Sequence, residues 1–351
     1  MSSSRNPESG SQYDYQMFAF VHPEAANCSL PSLQRWGYTV LVRDTPINVT
    51  DIRGPYREVA TKNGCCGEKE WLKLYAYTLL DYPVVVHLDL DCLILQPLDE
   101  LFDAMITNHL DPSRVSVMWP NATIPPQIDA FFTRDYNMVR PGKRRPDQIG
   151  VQGGFLVVRP NHSTYDEFVQ LVLEGNYIPE HGWGGPLRYG GYYGAATIQG
   201  LAAYYYGHYR PNRAVELDRC RYNNMVDADR STKPGVEGQC FTPDSVDCID
   251  CRSKALSEVK SAHFTVCWKP WRCVAHPQTV WQPGTERLCT ELHRGWFRMR
   301  QELEERIMNG IVVDEGQSGT LQTESKSGAQ KEQQPQRQQK PCSFGKYNPI
   351  Q

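Results

Sequence analysis

The sequence predicts an α/β protein with a mostly parallel central sheet, and three observations predict it. Val84–Leu88 (VVVHL) is a β-branched run, too short for a helix and suited to a strand covered on both faces. Just before it, Glu68–Leu80 places Trp71, Leu72, Tyr75, Leu79 and Leu80 on one helical face. Strands alternating with helices are the pattern of a sheet built by crossover connections.

Taken in order, Met1–Gln16 is polar and expected to be disordered. Met17–His22 (MFAFVH) is a short apolar run ending at Pro23 and reads as a buried strand. Tyr38–Val42 (YTVLV) reads as a second. Asp81-Tyr82-Pro83 stops the Glu68 helix before Val84–Leu88. Val115–Met118 and Gly154–Val158 are further strands. Tyr165–Glu174 and Thr197–Tyr206 read as helices, and the glycine- and aromatic-rich Gly182–Gly194 as a shaped loop. Thr285–Met308 spaces Leu288, Leu292, Trp296, Met299, Leu303 and Ile307 by fours and threes, an amphipathic helix. Beyond Val313, Gln, Glu, Lys, Ser and Gly dominate. The expected organisation is a disordered N-terminus over 1–16, one domain over 17–310, and a low-complexity tail over 311–351.

The 351 residues are 40% hydrophobic, enough for a sizeable core, and carry a net charge of -3. That charge gives no global footprint for nucleic acid or an anionic membrane. No apolar run reaches the roughly 18–20 residues of a membrane helix. Of 12 cysteines, Cys220, Cys240, Cys248, Cys251, Cys267, Cys273 and Cys289 fall in one stretch, 220–289. Disulfides, ordinary buried thiols and a zinc site at the C-x2-C pair Cys248 and Cys251 all fit that pattern. Sequons begin at Asn27, Asn48, Asn121 and Asn161. They favour the secretory pathway, with the cytoplasm as the alternative.

The sharpest chemical feature is His87-Leu88-Asp89-Leu90-Asp91. Residues i and i+2 of a strand point the same way, so both carboxylates face one spot. They sit where open α/β sheets bind ligands, beyond a strand's C-terminal end. Two acids aimed at one point repel, and a divalent cation carrying a diphosphate answers that repulsion.

VVVHLDLDCLILQPLDELFD resembles the metal-binding strand of glycogenin-like retaining glycosyltransferases (glycosyltransferase family 8, GT-A fold). His263-Phe264 with Lys269-Pro270-Trp271 is similar to that family's H-F-x-G-x-x-K-P-W. Gly153-Gly154-Phe155-Leu156-Val157-Val158-Arg159-Pro160 is similar to its S-G-V-F-V strand, and Gln199-Gly200-Leu201 to its D-Q-G-L segment. These matches keep the family's order over roughly Glu68 to Trp271. The resemblance implies a Rossmann-like, nucleotide-sugar-binding domain and transfer of a hexose from a UDP-sugar to a glycan or protein acceptor. It implies Mn²⁺ or another divalent cation on Asp89, Asp91 and His263. Lys73, Asp89, Leu90, Gln152, Gly153 and Lys269 would bind the donor. Lys269 and Gln199 would be catalytic. Trp183 to Tyr206 could shape an acceptor groove, with core packing as the other reading.

Two positions depart from the pattern. Ile198 stands where the family has aspartate, and Val266 where it has glycine. An inactive relative that binds sugar nucleotides as a scaffold is the rival function. The family's first strand-helix unit, with its base-holding motif, is also expected to be missing. Only about fifteen residues, including Pro23 and Pro31, separate the first two apolar runs, little for a crossover helix with two loops. Met17–His22 would then be the family's second strand and Tyr38–Val42 its third.

Overall fold

The computed structural model describes residues 10–62, 67–107, 124–192, 194–242, 248–272 and 281–308. The expected strand Val115–Met118 and the tail over 311–351 lie outside them.

The chain is α/β. Strand β1 (Phe18–Val21) passes through helix α1 (Pro23–Arg35) to β2 (Thr39–Val42), and β1 and β2 pair in parallel. Pro23 starts α1 at a position whose N–H needs no intrahelical partner. Pro31 lies inside α1 without ending it, so the short interval does hold a full strand–helix–strand unit, contrary to the spacing argument. β1 and β2 form a sheet of their own.

The central sheet has the order β3-β6-β5-β9, with β3 over Val85–Leu88, β5 over Ala130–Arg134, β6 over Val151–Val158 and β9 over Ala214–Glu216. β3, β5 and β9 share one direction. β6 runs against them, so its pairings with β3 and β5 are antiparallel and only β5–β9 is parallel. The sheet is therefore mixed, not mostly parallel in its pairings. Among the described residues no strand pairs with the other edge of β3.

All eight residues of β6 are buried. They split the core in two, alternating from Phe155 to Val158, with the parity changed at Val151 by a register shift against β5. Val151, Leu156 and Val158 pack on one side with Trp71, Leu74 and Phe168. Phe155 and Val157 pack on the other with Leu101 and Met105 of α2 (Asp99–Ile106). Helix α3 (His162–Glu174) begins earlier than its apolar face suggests. The Asn161 side chain accepts the Thr164 N–H at 3.2 Å and caps it.

Gly67–Thr78 is a 3₁₀ helix, not the α-helix that the apolar spacing predicted. Trp71, Leu74 and Tyr77 are buried at intervals of three, the repeat of the tighter helix, while Leu80 is 55% exposed. Helix α4 (Ile198–Tyr204) runs into a π turn at Tyr205–Tyr209. Around β7 (Tyr177–Ile178) and β8 (Gly182–Trp183), Trp183 and Tyr189 are buried, as are Tyr205 and Tyr206 beyond α4. Trp183 packs on Tyr56, Trp71 and Tyr177, so the buried aromatics of this stretch serve the core.

Residues 10–16, expected to be disordered, lie against α2. The Ser11 hydroxyl donates to Asp99 at 2.6 Å, the Tyr13 hydroxyl to Asp103 at 2.6 Å, and the Tyr13 ring packs edge-on to Phe102. Three disulfides, Cys220–Cys251, Cys240–Cys248 and Cys267–Cys289, knit the cysteine-rich stretch. Cys248 and Cys251 belong to different disulfides, which rules out a zinc site on that pair. The last disulfide ties helix α5 (Glu286–Met308) to the loop after β10 (Ser261–His263). No helix among the described residues is long and apolar enough to cross a membrane.

Candidate functional site

β3 ends at Leu88, and the chain turns through Asp89-Leu90-Asp91 into β4 (Cys92–Ile94). β4 pairs antiparallel with β10, setting His263 opposite Cys92. The turn is fixed by backbone bonds. The Asp89 N–H donates to Gly154 O at 2.9 Å, and the Phe264 N–H to Asp91 O at 2.9 Å. Three segments distant in sequence thus meet at the C-terminal end of β3.

Gly154 is the point where they converge. A Cβ there would lie 2.4 Å from His263 Cε1, 2.8 Å from His263 Nδ1 and 3.1 Å from Asp89 Oδ2. An imidazole nitrogen and a carboxylate oxygen therefore share the small space that the missing side chain leaves. Gly153, one residue earlier, is roofed by Ile198 Cγ2 at 2.9 Å and Gln199 Cγ at 3.2 Å from its would-be Cβ, with Lys73 Nζ at 3.7 Å.

Each acid has its own cation. Lys73, from the 3₁₀ helix, lies 2.8 Å from Asp89 Oδ1 and 3.0 Å from Glu70, and donates to Gly153 O at 3.3 Å. His87 Nε2 approaches Asp89 at 3.5 Å. Burial opposes the Asp89 charge, but His87 and Lys73 outweigh it and hold the carboxyl well below the usual range. Burial likewise opposes the Lys73 charge, and Asp89 and Glu70 more than restore it. On the other side, His263 Nε2 lies 3.1 Å from Asp91 Oδ1, and Lys269 donates to Asp91 Oδ2 and to Phe264 O. Burial again works against ionisation, and His263 and Lys269 bring the Asp91 carboxyl down to about 2.

The residues singled out from sequence gather around Gly153 and Gly154. Lys73 joins Asp89 and lies with Gln199 at Gly153, Lys269 and His263 join Asp91, and Asp89 and His263 meet over Gly154. Leu90, between the acids, is 92% exposed. Gln152 is buried. Its Oε1 accepts the Gly154 N–H at 2.9 Å, and its Nε2 points to Asp135 at 3.5 Å and to Met225 Sδ at 3.4 Å. Its amide supports the strand, and a ligand would reach it only if that network opened. Val266 is half-buried in the loop carrying Lys269. Trp268 and Trp271, flanking Lys269, are 45% and 42% exposed.

Sequence reading missed Glu70, His87, Cys92 and Gly154. The alternation of β3 could have marked His87, which shares a strand face with Asp89. Cys92 sits next to Asp91 in sequence, yet only the β4–β10 pairing brings it to His263. Ligand atoms of Asp91, Cys92 and His263 lie within 4.8 Å of one another. His263 Nδ1 is buried without a hydrogen-bond partner among the described residues. Beneath the site lies a buried acid pair. Asp227 is ion-paired with Arg219 at 3.1 Å. Burial and the charge of Asp227 push the Asp135 carboxyl up to about 7.

No family model and no curated protein sequence matches the chain. Among solved structures, mouse xyloside xylosyltransferase 1 in its apo form is similar at a TM-score of 0.34 and 13% identity, over 59% of this chain and 74% of that one. An overlay that loose transfers no residue roles.

Proposed function

We propose that this chain is a metal-dependent glycosyltransferase of GT-A type. It would pass a hexose from a nucleotide-sugar donor, expected to be a UDP-sugar, to a glycan or protein hydroxyl. One observation carries the reading: Asp89 and Asp91, in the turn that follows β3, are each paired with one lysine, and His263 stands over Gly154 beside both acids. The order of the motifs, from the acidic turn to Lys269-Pro270-Trp271, supports it.

Two carboxylates and an imidazole with an orphaned nitrogen suit Mn²⁺ or a similar cation, so the residues present fit the metal that the motifs imply. Bound there, the cation would neutralise charge on the departing diphosphate. Lys269, its side chain 26% exposed, can trade Asp91 for a phosphate oxygen and meet the same developing charge. Lys73, Gly153 and Gln199 form the opposite wall, where sugar hydroxyls would be held.

Ile198 is buried beside Gly153 and offers no carboxylate. A double displacement then lacks a nucleophile at that position, and front-face transfer with retention fits better. The side chains work by positioning and charge. The three disulfides favour an oxidising compartment such as the Golgi lumen over the cytoplasm. The same Ile198 favours a second reading, an inactive binder of sugar nucleotides.

Calorimetric titration with UDP tests the shared premise. UDP is expected to bind only with Mn²⁺ present, and not to bind the Asp91→Ala variant. Binding that ignores Mn²⁺ would overturn the metal-centred reading.

A further inference from the structure

We propose that Cys92 is a third protein ligand beside Asp91 and His263, making this a centre that takes a thiophilic divalent cation such as Zn²⁺ in preference to Mn²⁺. The inference shares two residues with the metal site above but does not need the transferase reading.

Geometry carries it. Antiparallel pairing of β4 with β10 sets Cys92 and His263 directly across from each other. The Cys92 thiol turns toward Gly154, donating to its carbonyl at 3.0 Å. The His263 imidazole packs over the same glycine, and its Nδ1 is buried with no partner among the described residues. The carboxylate, imidazole and thiol ligand atoms already lie within 4.8 Å of one another. Small side-chain rotations would bring them to the about 2.0–2.3 Å of zinc ligation. Asp89, held by Lys73, also reaches over Gly154 but is not one of the three residues whose ligand atoms cluster.

Chemistry sets the preference. Zn²⁺ already outranks Mn²⁺ in affinity for nitrogen and oxygen ligands, and a thiolate in place of a carboxylate, carbonyl or water oxygen widens that gap. The bound cation takes the place of the thiol proton, which leaves to solvent. No oxidation or other covalent change is involved. Among the described residues Cys92 is the free cysteine, and the other cysteines are in disulfides. Metal occupancy would also explain why an oxidisable thiol can stand in a chain so rich in disulfides.

The test uses the full-length, metal-free protein with Cd²⁺ as the spectroscopic probe. A thiolate-to-cadmium charge-transfer band is expected in the wild type, lost in Cys92→Ser and weakened in His263→Ala. In competition, Cys92→Ser should shift selectivity from Zn²⁺ toward Mn²⁺ by at least about tenfold. A wild-type band that survives Cys92→Ser, or no band at all, overturns the proposal. Alkylation followed by peptide mass spectrometry needs no variant. Zn²⁺ should protect Cys92 in the wild type, and unprotected alkylation would again overturn it. Mn²⁺ binding by Cys92→Ser, read by electron paramagnetic resonance, tests the transferase's metal separately, so the two ideas can fail independently.

Discussion

At the scale of single residues, Gly154 has the largest leverage on the site. Its strand is fixed by β3 and β5 on either side, so an added methyl must displace His263 rather than the backbone. Gly154→Ala is expected to cost about 1–3 kcal/mol of stability and to weaken metal binding far more than it perturbs the fold. Unchanged metal affinity would show that the imidazole is not a ligand. Lys269→Ala should lower kcat by about a hundredfold and raise KM little, because its proposed partner gains charge as the sugar bond breaks. A rise in KM alone would make Lys269 a ground-state anchor. Asp135 gives a pH signature. Its folded pKa, about 7, lies above the ordinary carboxyl value, so the folded state holds a proton that the unfolded chain has lost. Its contribution to stability is full below about pH 4 and is lost as pH rises toward 7. Asp135→Asn should therefore gain on the wild type in urea midpoint between those values, and a constant difference would refute the assignment. The two acids, His263 and Lys269 were legible from sequence because their motif is local. Cys92 and the Gly154 cradle were not, because they depend on which strands pair, whereas Glu70, three residues before Lys73 on the same 3₁₀ helix, was a local pairing that was overlooked.

At the scale of elements, chemistry at chain ends matters as much as periodicity. α3 begins at His162 because Asn161 offers its side-chain oxygen to Thr164 N–H. Asn161→Ala should cost about 0.5–2 kcal/mol in denaturant unfolding and leave ligand binding untouched. A neutral result would place the start of α3 elsewhere. β1, β2, β3, β6, α3 and α5 were readable to within a few residues, whereas β5, β9 and α2 were not called. Gly67–Thr78 was not, because Trp71, Leu74 and Tyr77 at spacing three sit among apolar neighbours that also satisfy an α-helical stripe. Pro31 misled in the other direction. A proline eight residues into α1 costs one backbone bond without stopping the helix.

At the scale of the whole molecule, the class was legible and the sheet was not. Hydrophobic runs give strands but not their direction, and the inversion of β6 has no local signal. Direction matters here, since β6 brings Gly153 and Gly154 against the acidic turn. The cysteine-rich stretch adds a second layer, with Cys267–Cys289 fastening α5 beside the loop of Lys269. The claim that this assembly moves sugars is tested most directly by sugar release from a panel of UDP-sugars, with Mn²⁺, with chelator, and with Asp91→Ala. At least one donor should be hydrolysed with Mn²⁺, and neither chelated wild type nor Asp91→Ala should release sugar. Nucleotide that binds with no sugar released from any donor, or full turnover by Asp91→Ala, would contradict it.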